Sequence, residues 1–235
     1  REHITHFARR SRSAPFATTL DELVQYMATP EWSRETRRSR RDTLLSFYRW
    51  AHACGHTAGV IAEGLPRVPS STPLPRPTPD AAYKAALLAA PPRAQMMLRL
   101  AAEVGMRRAE VAQLHSDDIF EDLVGWSILI HGKGGRNRVM PLPGSLARSL
   151  VDLPRGWAFP SRSGGHLSPH TVGLIVGGLL PEGWTMHTLR HRFASRAYAL
   201  KSDLLLVQEM LGHASPATTR RYIEIARAPM RALVE

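Results

Sequence analysis

Pro66-Arg67-Val68-Pro69-Ser70-Ser71-Thr72-Pro73-Leu74-Pro75-Arg76-Pro77-Thr78-Pro79-Asp80 decides how this chain is organised: six prolines fall within fifteen residues. Proline fixes its own φ and has no N–H to give a helix, so the stretch favours an extended polyproline conformation. It reads as a semi-rigid linker over 66–80. It divides the 235 residues into an N-terminal part, 1–65, and a C-terminal part, 81–235. Both lengths suit independent domains.

Upstream of the linker the pattern is helical. Thr19-Leu20-Asp21-Glu22-Leu23 is a capped helix start, with Leu20, Leu23, Val24 and Met27 expected on one face. Ser33 to Cys54 reads as a longer helix, its stripe supplied by Leu44, Leu45, Phe47, Tyr48 and Ala51. The first half of that helix carries Arg34, Arg37, Arg38, Arg40 and Arg41, balanced nearby only by Glu35 and Asp42. A charged helix face is commonly just solvated. Five arginines within eight residues favour a surface for the DNA backbone.

Downstream the elements alternate. Helices are expected over 81–90, 93–104, 108–114, 146–151, 168–177, 187–200, 202–211 and 216–226. Two strands are expected, Trp126–His131 and Arg138–Leu142, joined by the glycine-rich turn Gly132-Lys133-Gly134-Gly135-Arg136-Asn137. The expected fold is mainly α with a small antiparallel β-sheet, in two domains.

Net charge is +11 and the pI about 10.9, which points to a polyanionic partner, most simply nucleic acid. Lysine occurs only at 84, 133 and 201, so the charge is almost all arginine, whose planar fork grips phosphate at two points. Cys54 is the only cysteine, so neither an internal disulfide nor a cysteine zinc cluster can form, and a reducing intracellular compartment is expected. No apolar run approaches the roughly 20 residues of a membrane span, and no signal peptide is apparent. The chain begins at Arg1 rather than Met, so an upstream segment is expected to have been trimmed.

Six polar residues then suggest chemistry. Arg107 lies in Gly105-Met106-Arg107-Arg108-Ala109-Glu110, where a helix start would offer free N–H groups beside an anion. Glu110, three residues on, could hold its side chain. Lys133 sits at the hairpin tip, where it is either a solubilising turn residue or a mobile proton donor. His187 and Arg190 are three apart and so share a helix face. His191 must point away from Arg190 and reads as structural. A zinc pair of His187 and His191 lacks the glutamate of the metalloprotease motif. His213 follows Gly212, a helix cap by pattern, and Tyr222 comes nine residues later in a stretch that reads as a basic helix. Taken singly, these are ordinary surface or core residues. Together they could bind one phosphodiester, neutralise it and attack it with a phenol. A free phenol has a pKa of about 10, so it needs surrounding cations to ionise.

In order, spacing and neighbours these residues resemble the tyrosine recombinase (phage integrase) family, over nearly the whole chain. Residues 34–55, ending Phe47-Tyr48-Arg49-Trp50-Ala51, are similar to the family's helical core-DNA-binding domain, and 81–235 to its catalytic domain. The resemblance implies that Tyr222 attacks the scissile phosphate, that Arg107 and Arg190 hold its non-bridging oxygens, and that Lys133 protonates the departing 5′-oxygen. It implies that His187 is the base towards Tyr222 and that His213 adds a hydrogen bond to the phosphate. Arg34, Arg37, Arg38, Arg41 and Arg136 are the expected DNA contacts. No cofactor or metal is implied.

The implied partner is double-stranded DNA at core attachment sites, bound by a homotetramer on two duplexes. A host DNA-bending protein and a directionality factor are further expected partners, and the bacterial cytoplasm and nucleoid the expected location. The small N-terminal arm-binding domain of larger phage integrases is not apparent, so either the protein is a minimal member or residues precede Arg1. The tail from Ile223 to Glu235 would dock on a neighbouring subunit or on its own domain. Three other readings share much of this pattern: a catalytically silent DNA-binding regulator, a type IB topoisomerase-like enzyme, and a chromosome-dimer resolvase. A phage or prophage integrase is the preferred expectation.

Overall fold

A computed structural model of the chain describes residues 2–69, 75–132 and 134–212. It separates into two compact units, Arg1–Pro73 and Leu74–Glu235.

The first unit contains α1 (Glu2–Arg10), α2 (Leu20–Met27) and α3 (Arg34–Ala53). Thr19 starts α2 with a complete capping box: its hydroxyl accepts from the Glu22 N–H, and the Glu22 carboxylate accepts from the Thr19 N–H. The buried face of α2 is Leu23, Tyr26 and Met27; Leu20 and Val24 are exposed, so the helix is rotated from the face its apolar spacing predicts. Tyr26 explains the rotation. Its ring packs edge-on against Phe7 and Trp32, which draws that side of α2 inward. Ser33 caps α3, and Leu44, Tyr48 and Ala51 are its buried stripe. Phe7, Leu23, Leu44 and Tyr48, with Ala62 and Leu65 after the helix, form one core.

The second unit holds α4 (Asp80–Ala89), α5 (Pro92–Glu103), α6 (Arg108–Ala112), β1 (Ile119–Glu121), β2 (Trp126–His131), β3 (Asn137–Pro141), α7 (Gly144–Val151), α8 (Pro169–Gly177), α9 (Met186–Lys201) and α10 (Leu204–Leu211). The strands form an antiparallel sheet in the order β1-β2-β3, with Ile128 opposite Met140 and Ile130 opposite Arg138. The fold is therefore mainly helical with a small antiparallel sheet, as the sequence predicts. The third strand, β1, is the addition. The helix expected over 216–226 lies outside the described residues.

The linker also differs from its sequence reading at its downstream end. Thr78 is buried; its N–H donates to the Thr188 carbonyl at 3.1 Å and the two hydroxyls lie 2.7 Å apart. Arg76 stacks over the Trp184 ring at 4.5 Å. Residues 75–79 are thus fastened to the second unit. Further along, Arg192 and Arg196 both reach Asp80, at 2.8 and 2.9 Å, and fix the start of α4 against α9.

Candidate active site

The site begins with a glycine. Gly105 has φ +74°, and a Cβ there would lie 2.4 Å from the Phe193 ring. Only glycine fits both demands. The turn it makes buries Met106 and sets Arg107 as the N-cap of α6, one position earlier than the first helical residue. The Arg107 backbone N–H donates to Glu110 Oε2 at 2.8 Å and its Nη1 donates to Oε1 at 2.8 Å. Glu110 thus holds the Arg107 side chain, as the i, i+3 spacing predicts.

Glu110 is also the centre of a wider cluster. Arg138 on β3 donates Nη1 to Oε1 at 3.0 Å and Nη2 to Oε2 at 2.8 Å. Arg190 Nη1 lies 3.9 Å from Oε2. Burial raises the cost of ionising Glu110. The Arg138 hydrogen bonds, the Arg107 N–H and the charges of Arg138 and Arg190 outweigh it and hold the carboxyl below the usual range. Arg190, only 2% exposed, donates to the carbonyls of Gly105 and Leu211, so it ties the loop before α6 to the end of α10.

His187, on the first turn of α9, shares an open cleft of about 690 Å³ with Arg107, Arg108, His170, Thr185 and Arg190. Desolvation by the cleft walls, and then the charges of Arg190, Arg107 and Arg108, hold its pKa below the ordinary imidazole value. It is therefore neutral at pH 7 and able to accept a proton. The His191 ring packs edge-on against His187, 4.3 Å between centroids. Among the described residues no group of three or more His, Cys, Asp or Glu is placed to hold a metal ion, and no helix is long and apolar enough to cross a membrane.

The structure thus brings together three of the six expected reactive residues, Arg107, His187 and Arg190. Lys133, His213 and Tyr222 lie outside the described residues. Their flanks are described: His131, at the end of β2, reaches Asp118 at 2.7 Å, and Gly212 caps α10 with φ +58°. Arg136 is exposed on the hairpin turn.

The arginines of α3 divide. Arg37 donates to the Thr29 carbonyl at 3.0 Å and Arg41 to that of Leu65 at 3.1 Å. Arg40 lies over the Trp32 ring at 3.7 Å. Arg34 is exposed, and Arg38 lies 3.9 Å from Glu35. The even basic coat suggested by the sequence is therefore narrower, because three of these side chains brace their own unit.

Two residues went unnoticed in the sequence. His170 lines the cleft from α8, and nothing in its surroundings marks it. Arg138 carries a readable signal: two residues from buried Met140, it lies on the same inward face of β3.

Residues 82–228 match the family model "Phage integrase family". The curated relative tyrosine recombinase XerC of Methylobacterium nodulans is 31% identical over 266 aligned residues, covering 97% of this chain and 80% of its own. A second XerC, from Methylobacterium sp. strain 4-46, is 33% identical over 224 residues, covering 82% and 68%. Among solved structures, a lambda integrase dimer bound to a COC′ core site superposes with a TM-score of 0.73 at 20% identity, covering 94% of this chain and 85% of that one. The integrase from mycobacterium phage Brujita gives 0.52 at 26% identity, covering 96% and 83%. The chain belongs to the phage integrase family and is an enzyme of the tyrosine recombinase class.

Proposed function

We propose that this protein is a site-specific DNA recombinase that cuts and rejoins strands through a 3′-phosphotyrosyl intermediate. The Tyr222 oxygen attacks the scissile phosphorus, its proton passing to His187. The bond from phosphorus to the 5′-oxygen breaks, and Lys133 gives that oxygen its proton. Arg107 and Arg190 neutralise the non-bridging oxygens and His213 adds a hydrogen bond. The 5′-hydroxyl of a partner strand then reverses the step, so bond energy is conserved. The observation that carries this reading is the single cleft lined by Arg107, His187 and Arg190, in a chain whose family performs this chemistry. Cations aimed at developing charge are the main requirement for such a step.

Residues 1–65 and 81–235 would act as the DNA-gripping and catalytic domains on either side of the linker. Arg34, Arg38 and Arg136 would meet the DNA backbone, with Arg37 and Arg41 beside them. The working form would be four protomers on two duplexes in the bacterial cytoplasm, aided by a DNA-bending protein and a directionality factor. The preferred target is a phage or prophage attachment site. A second reading, a chromosome-dimer resolvase, is favoured by the bacterial relatives named XerC.

The test is covalent trapping on a pool of nicked, partly randomised duplexes, denatured in SDS, for wild type and Tyr222→Phe. Adducts that depend on Tyr222 are expected, and their sequences give the core site. A site in phage or prophage ends supports the integrase; one chromosomal site in cells free of prophage supports the resolvase. DNA bound but never linked by wild type would turn the reading to a silent regulator.

A further inference from the structure

Arg138 joins parts of the site that the chain delivers separately. It lies on β3, five residues after Lys133. Its Nη1 and Nη2 clamp both oxygens of Glu110 at 3.0 and 2.8 Å, and its Nε donates to the Met210 carbonyl at 2.9 Å. The guanidinium lies against Gly212, where an added Cβ would come within 3.2 Å of Nη1. Glu110 in turn holds Arg107 by backbone and side chain. All three nitrogens of Arg138 therefore act on protein groups, and Arg138 is not among the residues that line the cleft. Its geometry suits aiming other residues rather than touching DNA.

We propose that Arg138 is a positioning residue for strand cleavage. By clamping Glu110 it sets the Arg107 guanidinium on the scissile phosphate, and by holding Met210 it ties that setting to the end of α10, which closes two residues before His213 in the sequence. The inference rests on the function proposed above. A planar fork is required because a single ammonium cannot span two carboxylate oxygens and a carbonyl at once. Misplacing a transition-state donor by about 1 Å is enough to cost about 10²-fold in rate.

The decisive variant is Arg138→Lys, which keeps a cation beside the buried carboxylate and so spares the fold, while removing the fork. The rate of adduct formation is measured on a nicked duplex carrying the core site, with the scissile phosphate either natural or replaced by a methylphosphonate. The methylphosphonate is neutral and offers Arg107 no charge to meet. On natural phosphate Arg138→Lys is expected to be slower than wild type by about 10- to 100-fold. On methylphosphonate it should come within about threefold of wild type, with DNA affinity unchanged within about twofold. A lysine variant as fast as wild type on phosphate, or slowed equally on both substrates, overturns the inference. Arg107→Ala is the control and should show the same substrate dependence. If Arg107→Ala is slowed equally on both, the phosphate-binding role of Arg107 fails, and this inference with it. If Arg107→Ala behaves as expected and Arg138→Lys does not, only the role of Arg138 is lost.

Discussion

Arg138 and Glu110 meet as a two-point ion pair with 8% and 4% of their side chains exposed, and the same carboxylate holds Arg107, which is 40% exposed. A buried guanidinium left without its carboxylate is costly, because neither water nor another anion replaces the lost partner. Glu110→Ala should therefore lower unfolding free energy by about 3–5 kcal/mol, read from the denaturant midpoint. Glu110→Gln, which keeps one acceptor oxygen, should lose less. The sign with pH follows from a carboxyl held below its ordinary value of 4.5: the pair's contribution is present above pH 4.5 and is lost as pH falls further. A midpoint unchanged in Glu110→Ala would refute the buried pair.

Gly105 is constrained twice, by its left-handed backbone and by the Phe193 ring. Gly105→Ala should destabilise by about 2–4 kcal/mol, from overpacking and backbone strain together. The same shift moves a carbonyl that accepts from Arg190, so cleavage should slow even at temperatures where the variant stays folded. Calorimetry and adduct formation on one preparation separate the two effects.

Arg107 and Arg190 should fail differently. Each alanine variant should lose at least about 10²–10³ in cleavage rate, the scale for one transition-state donor. Half-exposed Arg107 should leave the melting temperature nearly unchanged. Arg190, buried between the Gly105 and Leu211 carbonyls, should lower it as well. A variant that keeps most of its rate would remove that residue from the phosphate site.

The depressed pKa of His187 sets a pH profile. As a base it works when neutral, so adduct formation should not decline as pH drops to 6.5, and should fall only at lower pH. Stability follows the same sign, present above 6.5 and declining as acid protonates the imidazole in the unfolded chain first. Rates across pH 5–8 for wild type and His187→Gln provide the check. A wild-type rate that already halves between pH 7.5 and 6.5 would argue against His187 as the group responsible.

The divided arginines of α3 give a contrast in DNA binding. Arg34→Ala should weaken binding to any sequence and reduce the salt slope by about one. Arg41→Ala should chiefly lower the stability of the first unit, since its guanidinium holds the Leu65 carbonyl. Titrations at several salt concentrations, beside thermal melts, distinguish them. Equal effects on affinity would place both side chains on the DNA.

Much of this fold is legible in the sequence because local signals agree. Thr19 and Glu22 spell a capping box, Ser33 begins α3 where its hydroxyl caps it, and two short strand-like runs, Trp126–His131 and Arg138–Leu142, on either side of a glycine-rich turn give the hairpin. What was missed is non-local or too short. β1 has three residues, fewer than a pattern needs, and exists because β2 supplies its hydrogen bonds. The rotation of α2 depends on Tyr26 meeting Phe7 and Trp32; helical spacing allows either face, and only these contacts choose between them. In the site, the Arg107–Glu110 contact is readable from i, i+3 spacing. The Arg138–Glu110 clamp joins residues 28 positions apart and required the folded chain.

The carboxylate at the heart of the cluster has an electrostatic consequence. Arg107, Arg138 and Arg190 bring three full positive charges to one corner of the molecule, and Glu110 cancels one of them. The residue is a fixed surplus of two, carried by groups already locked before any ligand arrives. A phosphodiester bears one negative charge at rest and approaches two as a fifth oxygen bonds to phosphorus. With Arg108 lining the same cleft, the positive charge exceeds the single negative charge of intact DNA, so a phosphate held here as proposed would gain more in its five-coordinate state than in its bound one.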